Sequence, residues 1–332
     1  MLTLLSKIYN KFVDIRNKKF DNGKYPITKL NSKVISIGNI IAGGTGKTPF
    51  SIFIAKLLLN KGIKVGVVGS GYGRRDKGLK VVCDGSKILT DVNGSGDELA
   101  LIAQKLLIPV VVDDKKVNAA KFLDENFDID VIIVDDGFQH RYLHRDLDIV
   151  LINDLTIKNP FTFPKGLLRE PFENFKRADL VCLEENVFNN EKFDEIEKLS
   201  YKKKFKCLKM YFLEKIEIID NIQGNAVLTC SIARPKEFEV FVKSIGVQVV
   251  HSIFHKDHFD YHKEDVEKIL YICKSKNANS LIITEKDFVK LVKFKDLIFK
   301  NNISIIVSEI EITINNTEVL TKLINTKCNF SI

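Results

Sequence analysis

Residues 34–48, VISIGNIIAGGTGKT, decide the fold. Val34, Ile35 and Ile37 supply a buried strand that runs into a glycine-rich turn ending in Gly46-Lys47-Thr48, the phosphate-gripping half of a P-loop. Ile41, Ala42, Gly43, Gly44, Thr45, Gly46, Lys47 and Thr48 are thus the candidate nucleotide-binding residues. The glycines let backbone N–H groups turn inward around an anion, and the helix that follows directs its positive end at the same point. A nucleoside triphosphate fits that geometry, with Lys47 reaching the β- and γ-phosphates as a point charge and the Thr48 hydroxyl on Mg²⁺. The first glycine of the general G-x-x-x-x-G-K-[ST] pattern is replaced by Ile41, so Gly43 and Gly44 carry the turn. The bland alternative is a strand-to-helix turn with a surface lysine, a setting in which Gly-Lys-Thr is rarely idle.

Downstream, the apolar pattern alternates between helix and strand. Helices are expected at 50–61, 97–107 and 118–126, and strands at 64–68, 109–112, 131–135, 148–152 and 179–183. This predicts an α/β fold with a mostly parallel sheet. Residues 204–220 read as two extended segments, a connector to a second, smaller α/β unit. That unit has strands at 225–230, 247–250, 281–284 and 303–307, and helices at 235–243, 263–275 and 288–292. The expected organisation is a nucleotide-binding domain over 1–204, a connector over 205–221 and a smaller domain over 222–332 that closes over the site.

The strand 131–135 delivers Asp135 and Asp136 at its carboxyl end, where ligands of open α/β sheets collect. Beside Gly-Lys-Thr this is the Walker-B position. Adjacent acids on a strand point to opposite sides, so the two are expected to differ in role. The run DDGFQHRYLHRDLDIV that follows offers Gln139 and His140 as hydrogen-bonding groups and Arg141 and Arg145 as anion or acid partners. Gly94-Ser95-Gly96-Asp97-Glu98 is a second glycine-rich turn, for which Asp97 as a simple helix cap is the structural alternative. Residues 255–262, HKDHFDYH, hold three histidines and two aspartates and raise a zinc site, but no cysteine or compact third-ligand motif accompanies them. Thr284-Glu285-Lys286-Asp287 is not a guanine-reading N/T-K-x-D arrangement, so GTP has no support.

Composition narrows the class. The chain has 332 residues, a formal net charge of +8 and six cysteines with no C-x-x-C pair, which suits reduced core residues in a cytosolic protein of two domains. No apolar stretch approaches the roughly 20 residues a membrane span needs, and no cleavable signal is visible. The positive charge favours anionic partners, yet no nucleic-acid-binding signature is present. In residues 1–20, Leu2, Leu5, Ile8, Tyr9, Phe12 and Ile15 can share a helical face ringed by Lys7, Lys11, Arg16, Lys18 and Lys19. Two readings stand side by side: a helix lying in an anionic membrane interface, or one docked on the protein's own core.

Taken together, SIGNIIAGGTGKTP, GYGR at 71–74, GDE at 96–98, DDGFQHRYLHRDL, GLLREP at 166–171, KDHFDY at 256–261 and TEKD resemble the tetraacyldisaccharide 4′-kinase family, the lipid A 4′-kinases of Gram-negative bacteria. The missing first P-loop glycine is a feature of that family. The resemblance implies transfer of the ATP γ-phosphoryl group to the 4′-hydroxyl of an acylated glucosamine disaccharide 1-phosphate, by a peripheral enzyme at the anionic cytoplasmic face of the inner membrane. No nucleic acid and no required protein partner are implied. By the same carry-over Asp97 helps deprotonate the sugar hydroxyl, His258 tunes or positions it from the other domain, and Lys47 completes the catalytic set. Thr48, Asp135, Asp136 and Glu170 are the implied Mg²⁺ and phosphate-charge residues. Asn39, Tyr72, Arg74, Gln139, His140 and Arg169 are the implied substrate contacts. Ser70 and Lys116 stand where the family has arginine, Leu99 replaces a proline after G-D-E, and Lys256 replaces one before Asp-His. The rival readings are a P-loop switch that hydrolyses nucleotide for a protein partner, and a basic membrane adaptor with a vestigial nucleotide site.

Overall fold

The computed structural model describes residues 1–212, 215–219, 222 and 224–331. Its strands, in chain order, are β1 (Lys33–Asn39), β2 (Val65–Gly69), β3 (Lys80–Asp84), β4 (Pro109–Val112), β5 (Val131–Asp135), β6 (Leu147–Ile152), β7 (Leu180–Glu184), β8 (Lys198–Phe212), β9 (Lys215–Ile219), β10 (Asn225–Cys230), β11 (Gln248–Phe254), β12 (Ala278–Thr284) and β13 (Ser304–Ile314). They form one sheet in the order β11-β10-β12-β13-β8-β7-β6-β1-β5-β2-β4-β3, with β9 paired to β8 off this path. β5 and β6 are buried along their whole length, as unbroken apolar runs between two helix layers must be.

Parallel pairing sets the site. β1 lies between β5 and β6, with Ile37 opposite Asp135 on one side and Ile149 on the other. The carboxyl ends of β1 and β5 are therefore level, and the turn after β1 opens beside Asp135, which ends β5, and Asp136, which follows it. A second parallel set, β10 to β13, is joined to the first by β8, which runs parallel to β7 from Lys198 and antiparallel to β13 from Tyr201 onward. The expected connector falls on the second part of β8 and on β9, and residues 213, 214, 220 and 221 of it lie outside the described residues.

The apolar cores also run across this joint. Ile35, Ile37, Phe50, Ile54 and Leu58 share one cluster with Val289, Ile312, Leu320 and Ile324 from the far end of the chain. The helix Thr317–Cys328, which brings several of these back, was not anticipated from sequence, nor was the edge strand β3. Cys83, Cys182, Cys230, Cys273 and Cys328 are free and buried, and burial pushes the Cys230 and Cys328 thiols up to about 12; the Cys207 side chain lies outside the described residues. No described helix is long and apolar enough to cross a membrane.

The helix Leu2–Asp21 docks through its polar stripe. Ser6 Oγ donates to the Thr162 carbonyl at 2.9 Å, Tyr9 Oη to the Arg169 carbonyl at 2.7 Å, and Phe20 is buried. Leu2, Leu4, Leu5, Ile8, Phe12 and Ile15 remain exposed. Tyr9 thus turns toward the protein, away from the apolar residues with which the sequence grouped it.

Candidate active site

Gly43, Gly44 and Gly46 all have positive φ, the backbone a tight anion-facing turn requires and side chains rarely adopt. The helix Lys47–Leu59 starts directly from Gly46 with no side-chain cap, so its first N–H groups are left for a ligand. The loop is clamped at Thr45 from two directions: Asn39 Nδ2 donates to Thr45 Oγ1 at 2.8 Å, and Tyr201 Oη donates to the Thr45 carbonyl at 2.8 Å. Tyr201 comes from β8 and carried no signal in the sequence, because an aromatic in a strand reads as core.

The two acids differ, though not by strand alternation: β5 ends at Asp135, and Asp136 is the first residue of the turn, with a left-handed φ of 54°. Asp135 is buried and accepts from Ser51 Oγ at 2.8 Å and Thr48 Oγ1 at 3.2 Å; burial raises its pKa. Asp136 faces the cavity. Burial alone would raise its pKa too, but Lys47, Lys116 and Arg169 outweigh this and hold the carboxyl well below the usual range. Lys47 Nζ lies 3.4 Å from Asp136, Arg169 binds both of its oxygens at 2.7 and 2.9 Å, and Lys116 donates to its main-chain carbonyl. Lys116, in the place where arginine was expected, is spent on that carbonyl.

At the opposite wall, His258 Nδ1 lies 3.0 and 3.1 Å from the two oxygens of Asp97. Asp97 opens the helix Asp97–Leu106 and is 4% exposed, while His258 takes a left-handed φ in the loop before the helix Lys263–Ser275. Two lysines of the helix Glu285–Leu291 complete the cluster, with Lys286 Nζ 3.9 Å and Lys290 Nζ 3.7 Å from Asp97. Burial acts to raise the Asp97 pKa, but the His258 hydrogen bond and the charges of Lys286, His258 and Lys290 prevail and bring it to about 2. Lys286 also reaches His258 Nε2 at 3.3 Å and Asp257 at 3.0 Å. Lys290 and Glu98 were not singled out from the sequence, although TEKD and GDE mark their neighbourhoods.

One cavity of about 720 Å³ takes in the phosphate loop, Glu98, Asp136, Arg169, His258 and Lys286, and extends past Lys203, Phe205 and Arg234. Tyr72 lines it as well, its ring 4.9 Å from that of His258. Several residues expected at the site sit behind the cavity wall, among them Asn39, which is fully buried against Thr45. Glu170 is 2% exposed, and its oxygens accept from Gln139, Asn174 and Arg177 at 2.7 to 3.3 Å. Gln139 also donates to the Asn39 carbonyl at 2.8 Å. Arg74 is buried, bound to the Gly78 carbonyl at 2.7 Å and to Asp114 at 3.2 Å. His140 Nε2 accepts from Val117 N at 3.1 Å, which caps the helix Lys116–Asn126, and burial lowers its pKa to about 4.

The histidine-rich run divides into three unrelated jobs. His255 stacks on Phe259 at 4.3 Å, His258 pairs with Asp97, and His262 caps its helix. Among the described residues no three His, Cys, Asp or Glu side chains converge as a metal site. Mg²⁺ makes a different demand, since it keeps several waters and takes one or two protein oxygens plus phosphates. The hard oxygens of Thr48 and Asp135, side by side below the phosphate loop, fit that demand.

The family model described as tetraacyldisaccharide-1-P 4′-kinase matches residues 1–329. The chain is 34% identical to a tetraacyldisaccharide 4′-kinase of Halothermothrix orenii, covering 98% of this chain and 91% of the relative. It is 34% identical to one of Bdellovibrio bacteriovorus, covering 86% and 88% respectively. Among solved structures it is similar to that of LpxK from Aquifex aeolicus, an "apo" form in complex with ATP, with a TM-score of 0.80, 28% identity and 98% of both chains covered.

Proposed function

The chain belongs to the tetraacyldisaccharide-1-P 4′-kinase family, the ATP-dependent kinases of lipid A biosynthesis, and we infer how its own residues perform that phosphoryl transfer. The observation that carries the reading is the meeting of the phosphate loop and the Asp97–His258 pair in one cavity. The loop N–H groups and Lys47 would bind the ATP phosphates, while Arg169, held on Asp136, meets negative charge of the phosphates or of the disaccharide 1-phosphate. Thr48 and Asp135 would hold Mg²⁺, which would supply neutralisation of the phosphates' negative charge.

The acceptor hydroxyl must lose its proton as the new bond forms. Asp97 is a stable anion at neutral pH and orients His258 through Nδ1, and the imidazole is the member of the pair that lines the cavity. The two act as one proton-accepting unit. Lys286 and Lys290 hold the buried carboxylate in its charged form. We read residues 1–204 and 222–332 as two lobes joined by 205–221, because Asp97 and His258 come from either side of that joint and lobe closure would assemble the pair. Tyr72, its ring beside His258 in the cavity, would pack on the sugar.

The exposed apolar side of the helix Leu2–Asp21, with lysines around it, supports a peripheral position on an anionic membrane, at the cytoplasmic face where ATP is available. No protein partner is required. The test is transfer from γ-labelled ATP to tetraacyldisaccharide 1-phosphate in detergent with Mg²⁺. A labelled bis-phosphate, absent with Lys47→Ala, is the expected product. Brisk ATP hydrolysis without lipid and no labelled lipid would favour the P-loop switch.

A further inference from the structure

A second apolar element stands beside the N-terminal helix. In residues 161–167 the chain makes a tight loop, with Phe163 N donating to the Leu168 carbonyl at 3.0 Å, Gly166 N to the Thr162 carbonyl at 3.0 Å and Leu168 N to the Phe161 carbonyl at 3.1 Å. The turn sorts its side chains by direction. Thr162 and Leu168 are buried, whereas Phe161, Phe163 and Leu167 are thrown outward, Phe163 at 62% exposure. Three large apolar groups on one backbone-pinned loop form a patch rather than scattered single residues, and such patches mark interaction surfaces.

The loop is stapled to the helix. Ser6 Oγ donates to the Thr162 carbonyl and accepts from Lys165 N at 3.1 Å, and the rings of Tyr9 and Phe163 meet edge-on at 6.4 Å. Lys165 lies over the Phe161 ring at 3.5 Å, a cation at the rim of the apolar tip. With Lys7, Lys11, Lys18 and Lys19 on the helix, the surface combines outward aromatics and aliphatics with positive charge, the complement of an anionic bilayer. The base of the loop is tied to the phosphate loop: Ala42 N donates to the Leu167 carbonyl at 2.9 Å and Arg169 N to the Ile40 carbonyl at 2.8 Å.

We propose that residues 161–167 are a second membrane-inserting element, a rigid loop that enters the headgroup region beside the N-terminal helix and sets the mouth of the ATP cavity at the bilayer surface. This rests on the peripheral reading above. It is tested with the full chain by co-sedimentation with phosphatidylethanolamine–phosphatidylglycerol vesicles, alongside phosphatidylcholine vesicles. The wild type, Phe161→Ser/Phe163→Ser and Leu5→Ser/Phe12→Ser are compared, with thermal melting and phosphoryl transfer in detergent as controls. The expected result is binding of wild type to the anionic vesicles, weakened about tenfold or more by the loop variant, with its melting and detergent activity retained. Unchanged binding of the loop variant, while the helix variant falls off, would overturn the loop assignment alone. Failure of the wild type to bind would overturn the peripheral reading itself. Loss of detergent activity with vesicle binding intact would assign the loop to the substrate's acyl chains and overturn the proposal.

Discussion

The phosphate loop and the Asp97–His258 pair face one cavity, yet they are built in opposite ways. The loop is one contiguous stretch after β1, and most of what positions it, from Asn39 to Asp135, belongs to neighbouring parallel strands or their ends. The pair joins residues 161 positions apart and relies on lysines from a third segment. A phosphate-gripping turn needs backbone geometry, which a short motif can encode. A buried carboxylate needs compensating charge, which only the tertiary fold can gather around it.

Replacing Lys47 with alanine attacks the contiguous half and is expected to lower kcat by about 10³-fold, since the loop N–H groups cannot replace a positive charge at the γ-phosphate. Steady-state kinetics with saturating lipid measures it, and a loss confined to KM would separate Lys47 from the transition state. Lys290→Met attacks the assembled half. With one of its cations gone, the Asp97 pKa should rise from about 2 and the pair should hold its proton more tightly, so the acid limb of the kcat/KM profile moves upward, and Lys290→Arg should restore it. An unmoved limb in a folded variant would detach Lys290 from the site. The Asp97 carboxylate's stabilising ion pairing is correspondingly present above the ordinary carboxylate pKa and lost as pH falls toward about 2.

His140 tests the buttress behind the contiguous half. Its folded pKa, about 4, lies below the ordinary histidine value, so the unfolded chain takes up the proton first as pH falls. Stability should be full above about pH 6.5 and decline toward pH 4, by up to about 3 kcal/mol from this group. His140→Gln should flatten that part of a melting-temperature series. Tyr201→Phe is the smallest change. Removing the hydroxyl that holds the Thr45 carbonyl should cost about 1 kcal/mol of loop order, seen as roughly a fivefold rise in KM for ATP with kcat little altered.

The same contrast explains what could be read beforehand. Most of the strands and the loop were legible because their signals are local: apolar runs between turns, and glycines where φ must be positive. The Asp97–His258 partnership was available only through resemblance, since nothing within either segment points to the other. Glu170, Gln139, Arg74 and His140 were read as contacts and sit behind the cavity wall for a related reason. Polar residues in a motif read as ligand contacts, but each here satisfies a buried partner next to the cavity. The helix Thr317–Cys328 went unread because its apolar stripe has meaning only once β13 has returned the chain to the first core.

The most direct measurement is a double-mutant cycle on phosphoryl transfer from γ-labelled ATP to tetraacyldisaccharide 1-phosphate, using wild type, Asp97→Ala, His258→Ala and the double variant. If the two side chains act as one unit, each single change lowers kcat by about 10²- to 10⁴-fold and the double variant is no worse than the poorer single. Losses that multiply, or near-normal turnover in either single variant, would contradict a shared proton-accepting pair.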